Sequence, residues 1–111
     1  MKMKQIFFTI ALLFGSIQAV LAYENGVDCI ILEDENSIIC KYSLSRVSYE
    51  KKVLFQWIEP DKTITREREL VIPANHGSVY DYRYIEGRTK GIWTFKAVDG
   101  QDIYTTNFTI E

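Results

Sequence analysis

Histidine is nearly missing from this 111-residue chain: His76 is the only one. Cysteine occurs twice, at positions 29 and 40, and methionine twice, at positions 1 and 3. A metal centre needs several convergent imidazole, thiolate or carboxylate ligands, and this inventory falls short of one. General-base catalysis through His76 requires a nucleophile and an orienting carboxylate within reach. Ser78 is near in sequence, but a serine beside a histidine in a glycine-containing turn is ordinary loop composition. There is no glycine-rich phosphate loop and no Cys-x-x-Cys pair. The expectation is a chain without an enzyme's machinery, with neither a metal nor a cofactor. An excess of basic charge is also missing. Thirteen lysines and arginines face fifteen aspartates and glutamates, for a net charge of −2. That balance argues against nucleic acid, whose affinity depends on neutralising phosphates, and against an anionic membrane surface. The acidic run Glu33-Asp34-Glu35 lacks the spaced carboxylates of a calcium loop and reads as a solvated turn.

Long apolar runs are absent except at the N-terminus, where Lys2 and Lys4 precede an apolar run over residues 6–14. A positive segment, a core of about nine apolar residues and Val20-Leu21-Ala22 have the form of a bacterial export signal. Cleavage is expected after Ala22. Gly15, Ser16 and Gln18 break the stretch below the ~20 apolar residues of a membrane span, so no stable span is expected once the leader is removed. The domains are then a signal peptide, residues 1–22, and one domain, residues 23–111. Removing the leader's two lysines takes the net charge to about −4. Export to the periplasm or beyond puts Cys29 and Cys40 where disulfides persist.

What remains is dominated by period-two alternation. Residues 27–32 and 37–40 flank a turn at 33–36, which pairs position 29 with 40, 30 with 39 and 31 with 38. The two sulfurs then meet across neighbouring strands as a structural bridge. Residues 53–58 form a strand ended by the Pro60-Asp61 turn. Residues 63–72 follow, with Arg66 and Arg68 on one face and Glu67 and Glu69 on the other. Charge on both faces marks an edge strand guarded against further pairing. Residues 78–86 place Tyr80, Tyr82 and Tyr84 on one side, with Val79, Asp81, Arg83 and Ile85 on the other. Residues 92–98 and 103–110 are joined by a hairpin signalled by Asp99-Gly100. Residues 45–52 read equally as loop or strand. Seven strands at this spacing predict an all-β antiparallel sandwich. The expected core is Ile31, Ile38, Val53, Phe55, Trp57, Tyr82, Trp93, Phe95, Phe108 and Ile110.

Phe55-Gln56-Trp57 on one strand, the Pro-Asp turn, and Gly91-Ile92-Trp93 opening a strand before an Asp-Gly hairpin resemble an immunoglobulin-like or fibronectin-III-like sandwich. That resemblance implies a non-catalytic interaction or accessory module, with another envelope protein as its partner. Arg66, Arg68, Tyr80, Arg83, Arg88 and Lys90 are the residues expected to meet that partner, since Tyr and Arg are favoured at interaction hot spots. A second resemblance gives the alternative reading, an inhibitor of a lytic enzyme such as lysozyme. His76-Gly77-Ser78-Val79-Tyr80 and then Thr89-Lys90-Gly91 are similar to the paired motifs of periplasmic C-type lysozyme inhibitors. There, Tyr80 and Lys90 would enter the lysozyme cleft.

Overall fold

The computed structural model describes residues 25–111; the leader and its cleavage after Ala22 lie outside the described residues. Seven strands follow in order: β1 (Gly26–Leu32), β2 (Ser37–Ser43), β3 (Lys51–Ile58), β4 (Ile64–Ile72), β5 (Ser78–Tyr84), β6 (Gly91–Asp99) and β7 (Asp102–Ile110). They form two antiparallel sheets, β1-β2-β5 and β4-β3-β6-β7, packed face to face. Residues 45–50 are irregular, and 51–52 open β3.

The first hairpin has the register that the alternation implied, with Cys29 opposite Cys40, Ile30 opposite Ile39 and Ile31 opposite Ile38. One turn of 3-10 helix, Glu33–Glu35, joins its strands, and Asn36 closes it in the left-handed conformation at φ 54°. Asparagine tolerates that region because its short polar side chain bonds locally. Cys29 and Cys40 form a disulfide with their Cα atoms 4.0 Å apart, the close approach of a cross-strand pair that exchanges no backbone hydrogen bonds. Such a crosslink is consistent with a protein that works outside the reducing cytoplasm.

Alternation then builds the core. Ile38, Cys40 and Tyr42 of β2, Val53, Phe55 and Trp57 of β3, Trp93, Phe95 and Ala97 of β6, and Phe108 and Ile110 of β7 are all buried. Aromatic edges line the inner face of the four-stranded sheet, where Phe55 meets Phe95 at 4.8 Å between centroids, and Trp57 meets Phe95 at 5.3 Å and Phe108 at 5.9 Å; across the sandwich Tyr42 meets Tyr104 at 5.4 Å. Offset and edge-on pairs of this kind add to area burial because the ring edge is positive and its face negative. β4 is the outer strand of its sheet, as its two charged faces foretold.

Two expectations need correcting. Tyr82 is not in the core but 55% exposed, and the inward face of β5 carries Asp81 and Arg83 instead. Ile31 is half-buried and packs against the core rather than inside it. The last hairpin is also displaced by one residue. Asp99 is the final residue of β6, opposite Asp102, and Gly100 at φ 63° is the first residue of the two-residue loop. That position requires positive φ in the turn that matches strand twist.

The displacement lets Asp99 turn inward. Its carboxylate accepts hydrogen bonds from the Tyr42 hydroxyl at 2.7 Å and the Lys51 ammonium at 2.8 Å. Burial, and then the bond to Asp99, push the Tyr42 phenol well above its ordinary value of 10.0. Its own hydrogen bond to Asp99 likewise raises Lys51. Below about pH 10 both groups keep their protons in the folded and unfolded chains alike. Above it the unfolded chain releases protons that the folded chain still holds, so stability falls as pH rises. Urea unfolding between pH 9 and 11 is expected to show this loss, and Tyr42→Phe to flatten it. An identical slope in the variant would contradict the assignment.

Candidate arginine cleft

β4 and β5 are the outer strands of different sheets, and the sandwich opens between them. Inward-facing side chains at such a seam meet no opposite sheet, so polar groups can sit there if they satisfy one another. Asp81 of β5 does so. It is 3% exposed, and its Oδ2 accepts from the Trp57 indole Nε1 at 3.0 Å. Its Oδ1 accepts from Arg68 Nη1 at 2.7 Å and from the backbone N–H of Tyr82 at 3.0 Å. Arg66 Nε stands 3.7 Å from Oδ2. These donors offset the cost of taking the carboxylate out of water.

Arg83 follows two residues along the same face. Its guanidinium lies over the Trp57 ring at 5.5 Å and the Trp93 ring at 6.0 Å, and donates to Thr65 Oγ1 at 3.1 Å. Ring faces attract cations, and Arg, planar and weakly hydrated, suits such a site. Burial, and then the neighbouring charges of Arg88 and Arg66, lower the Arg83 pKa. Arg88, in the loop after β5, donates from Nε to the carbonyl of Tyr84 at 3.2 Å.

These side chains line a cleft of about 600 Å³, with Thr65, Tyr82 and Tyr84 completing its walls. Four guanidinia share it with one carboxylate, and that carboxylate already holds Arg68 and Arg66. Among the described residues no acid forms an ion pair with Arg83 or Arg88. In a chain of net negative charge this is a marked segregation, and a recess lined by one sign of charge focuses the field on an incoming anion.

Of the six residues expected at a partner surface, the fold brings Arg66, Arg68, Arg83 and Arg88 together. Tyr80 lies apart, 63% exposed on the outer face of β5 beside Lys41, Ile39, Ile30 and Asp28. Lys90 is exposed in the β5–β6 connection and does not line the cleft. His76 is exposed in the loop between β4 and β5, where Nδ1 lies 3.2 Å from the carbonyl of Ala74. The residue that sequence reasoning passed over is Asp81. Its signal was there: a lone acid alternating with Arg83 on the face opposite a row of tyrosines.

Compared with known proteins, the chain matches no family model, no curated protein and no solved structure.

Proposed function

We propose that this is an exported, non-catalytic binding module whose arginine cleft holds an anionic group of another envelope protein. One observation carries the reading: the cleft contains two guanidinia, Arg83 and Arg88, that form no ion pair among the described residues, beside two more on Asp81. Such a site favours carboxylates or phosphates, which a guanidinium grips with two parallel N–H donors. The charge sits in a recess where water screens it less than on an open surface.

The fold supports the same reading. The order β1-β2-β5 against β4-β3-β6-β7 is compatible with an immunoglobulin-like sandwich in which the fourth strand lies beside the third instead of in the sheet of the first, second and fifth. Trp57 on the third strand matches the buried tryptophan of that architecture. Such sandwiches commonly present surfaces to partners, although the fold alone fixes no function. The disulfide and the N-terminal export pattern support a periplasmic or secreted location.

The test is fluorescence anisotropy of a labelled ten-residue glutamate peptide at low ionic strength. Binding is expected to weaken as salt is added, and to fall at least about tenfold in Arg66→Gln/Arg88→Gln, which leaves Arg68 on Asp81. A lysine peptide is expected not to bind. Equal affinity in the variant, or no binding of the glutamate peptide, would overturn the proposal.

A further inference from the structure

β5 has a free edge, and the edge is covered in an unusual way. Among the described residues it pairs only with β2. The backbone of Tyr82 and Tyr84 points away from β2, toward the cleft, where a further strand would lie. Among the described residues no strand occupies that side. The Tyr82 carbonyl accepts instead from Arg66 Nη1 at 3.2 Å, and the Tyr84 carbonyl from Arg88 Nε at 3.2 Å. The Tyr82 N–H donates to Asp81 Oδ1. Charged side chains are a usual guard for sheet edges. Here the guards are also the residues that line the anion cleft.

We infer that an acidic, extended polypeptide segment of the partner adds as a strand to β5, displacing its own guards. Carboxylates of the segment take the guanidinia of Arg66 and Arg88. The carbonyls of Tyr82 and Tyr84 are then free to accept N–H groups from the segment, so that charge pairing and strand addition are one event. This deepens the anion-binding reading and rests on it.

The two faces of β5 set the sequence the segment needs. Side chains alternate across a strand, so those on the inner face of an added strand lie beside Arg83 and the cleft. Those on the outer face lie beside the exposed row of Tyr80, Tyr82 and Tyr84, where Tyr82 and Tyr84 meet edge to face at 6.1 Å. Acidic residues therefore suit one parity and apolar residues the other. A second copy of this chain is a poor occupant, because edge-to-edge pairing would set its four arginines against these four.

The probe is a seven-residue peptide of alternating valine and glutamate, measured on the purified protein by fluorescence anisotropy. Two further versions are N-methylated, one at every valine amide and one at every glutamate amide. An added strand turns only alternate amides toward its neighbour: those of the valines if antiparallel, and those of the glutamates if parallel. A shift by one residue cannot rescue binding, because it would move the glutamates to the tyrosine face. One methylated version is expected to lose at least about tenfold in affinity while the other binds like the parent. Equal effects of the two methylations, or none, with the parent still bound would overturn strand addition and leave the anion cleft standing. Failure of the parent peptide to bind at any salt concentration would overturn both.

Discussion

Trp57→Ala is expected to destabilise the domain by about 3–5 kcal/mol, the range for truncating a large buried aromatic side chain. The indole is 1% exposed and wedged edge-on against Phe95 and Phe108. Its loss removes the apolar contacts of both rings and leaves a cavity that the surrounding strands can only partly close. It also takes the Nε1–H donor from Asp81 and one of the two rings beneath Arg83. Core and cleft therefore fail together. Trp57→Phe separates the two effects, since it keeps most of the ring contact and removes only the donor and part of the volume. Urea unfolding should place Trp57→Phe between wild type and Trp57→Ala. An unchanged midpoint in Trp57→Ala would contradict the placement of this side chain at the centre of the sandwich.

The second large effect is expected from the disulfide. Cys29→Ala/Cys40→Ala should lower stability by about 2–4 kcal/mol, the chain-entropy estimate for a closed loop of about twelve residues. The domain has reason to need the crosslink. A chain of this size buries only about 60–65% of its unfolded surface. β1 is moreover an outer strand held along one side by β2. Without the bridge, β1 keeps its ladder and its packing against β7 but loses its covalent tie at mid-strand. Hydrogen exchange should show the β1 amides losing protection first, with those of β3 and β6 least affected. Equal stability of the reduced and oxidised proteins in denaturant would rule out this role.

Much of the fold was legible in the sequence because its signals are local. The turn at 33–36 and the alternation on either side of it set the first hairpin's register. The opposed charges of Arg66, Glu67, Arg68 and Glu69 excluded a central place for β4. Pro60-Asp61 ended β3, with Lys62 at φ 77° turning the chain back. What the sequence withheld is non-local. Both faces of β5 contain apolar residues, and three tyrosines look more like a core than Asp81 and Arg83 do. Register against β2 decides the matter. Asp81 lies opposite Cys40 and Arg83 opposite Ile38, both buried residues, while Tyr82 lies opposite half-buried Ile39. Pleat parity then turns the charged pair inward. It can lie there because the seam with β4 supplies Arg68, Arg66 and Thr65 as partners. The cleft has the same origin. Its arginines come from two strands and a loop, and nothing in their spacing along the chain announces that they meet. The hairpin after β6 slipped by one residue for a similar reason: Asp99 has distant partners in Tyr42 and Lys51, which hold it in the strand.

The central claim is that four guanidinia at the β4–β5 seam form one anion-binding site. The most direct test follows the side-chain Nε–H resonances of the arginines by NMR while the ten-residue glutamate peptide is added. Arg66, Arg83 and Arg88 are expected to shift together along one saturable curve, to return as salt is raised, and to do so while Arg46, at the far end of the sandwich beside Asn75, stays still. Arginine signals that remain unmoved at saturating peptide, or that move no more than Arg46, would contradict it.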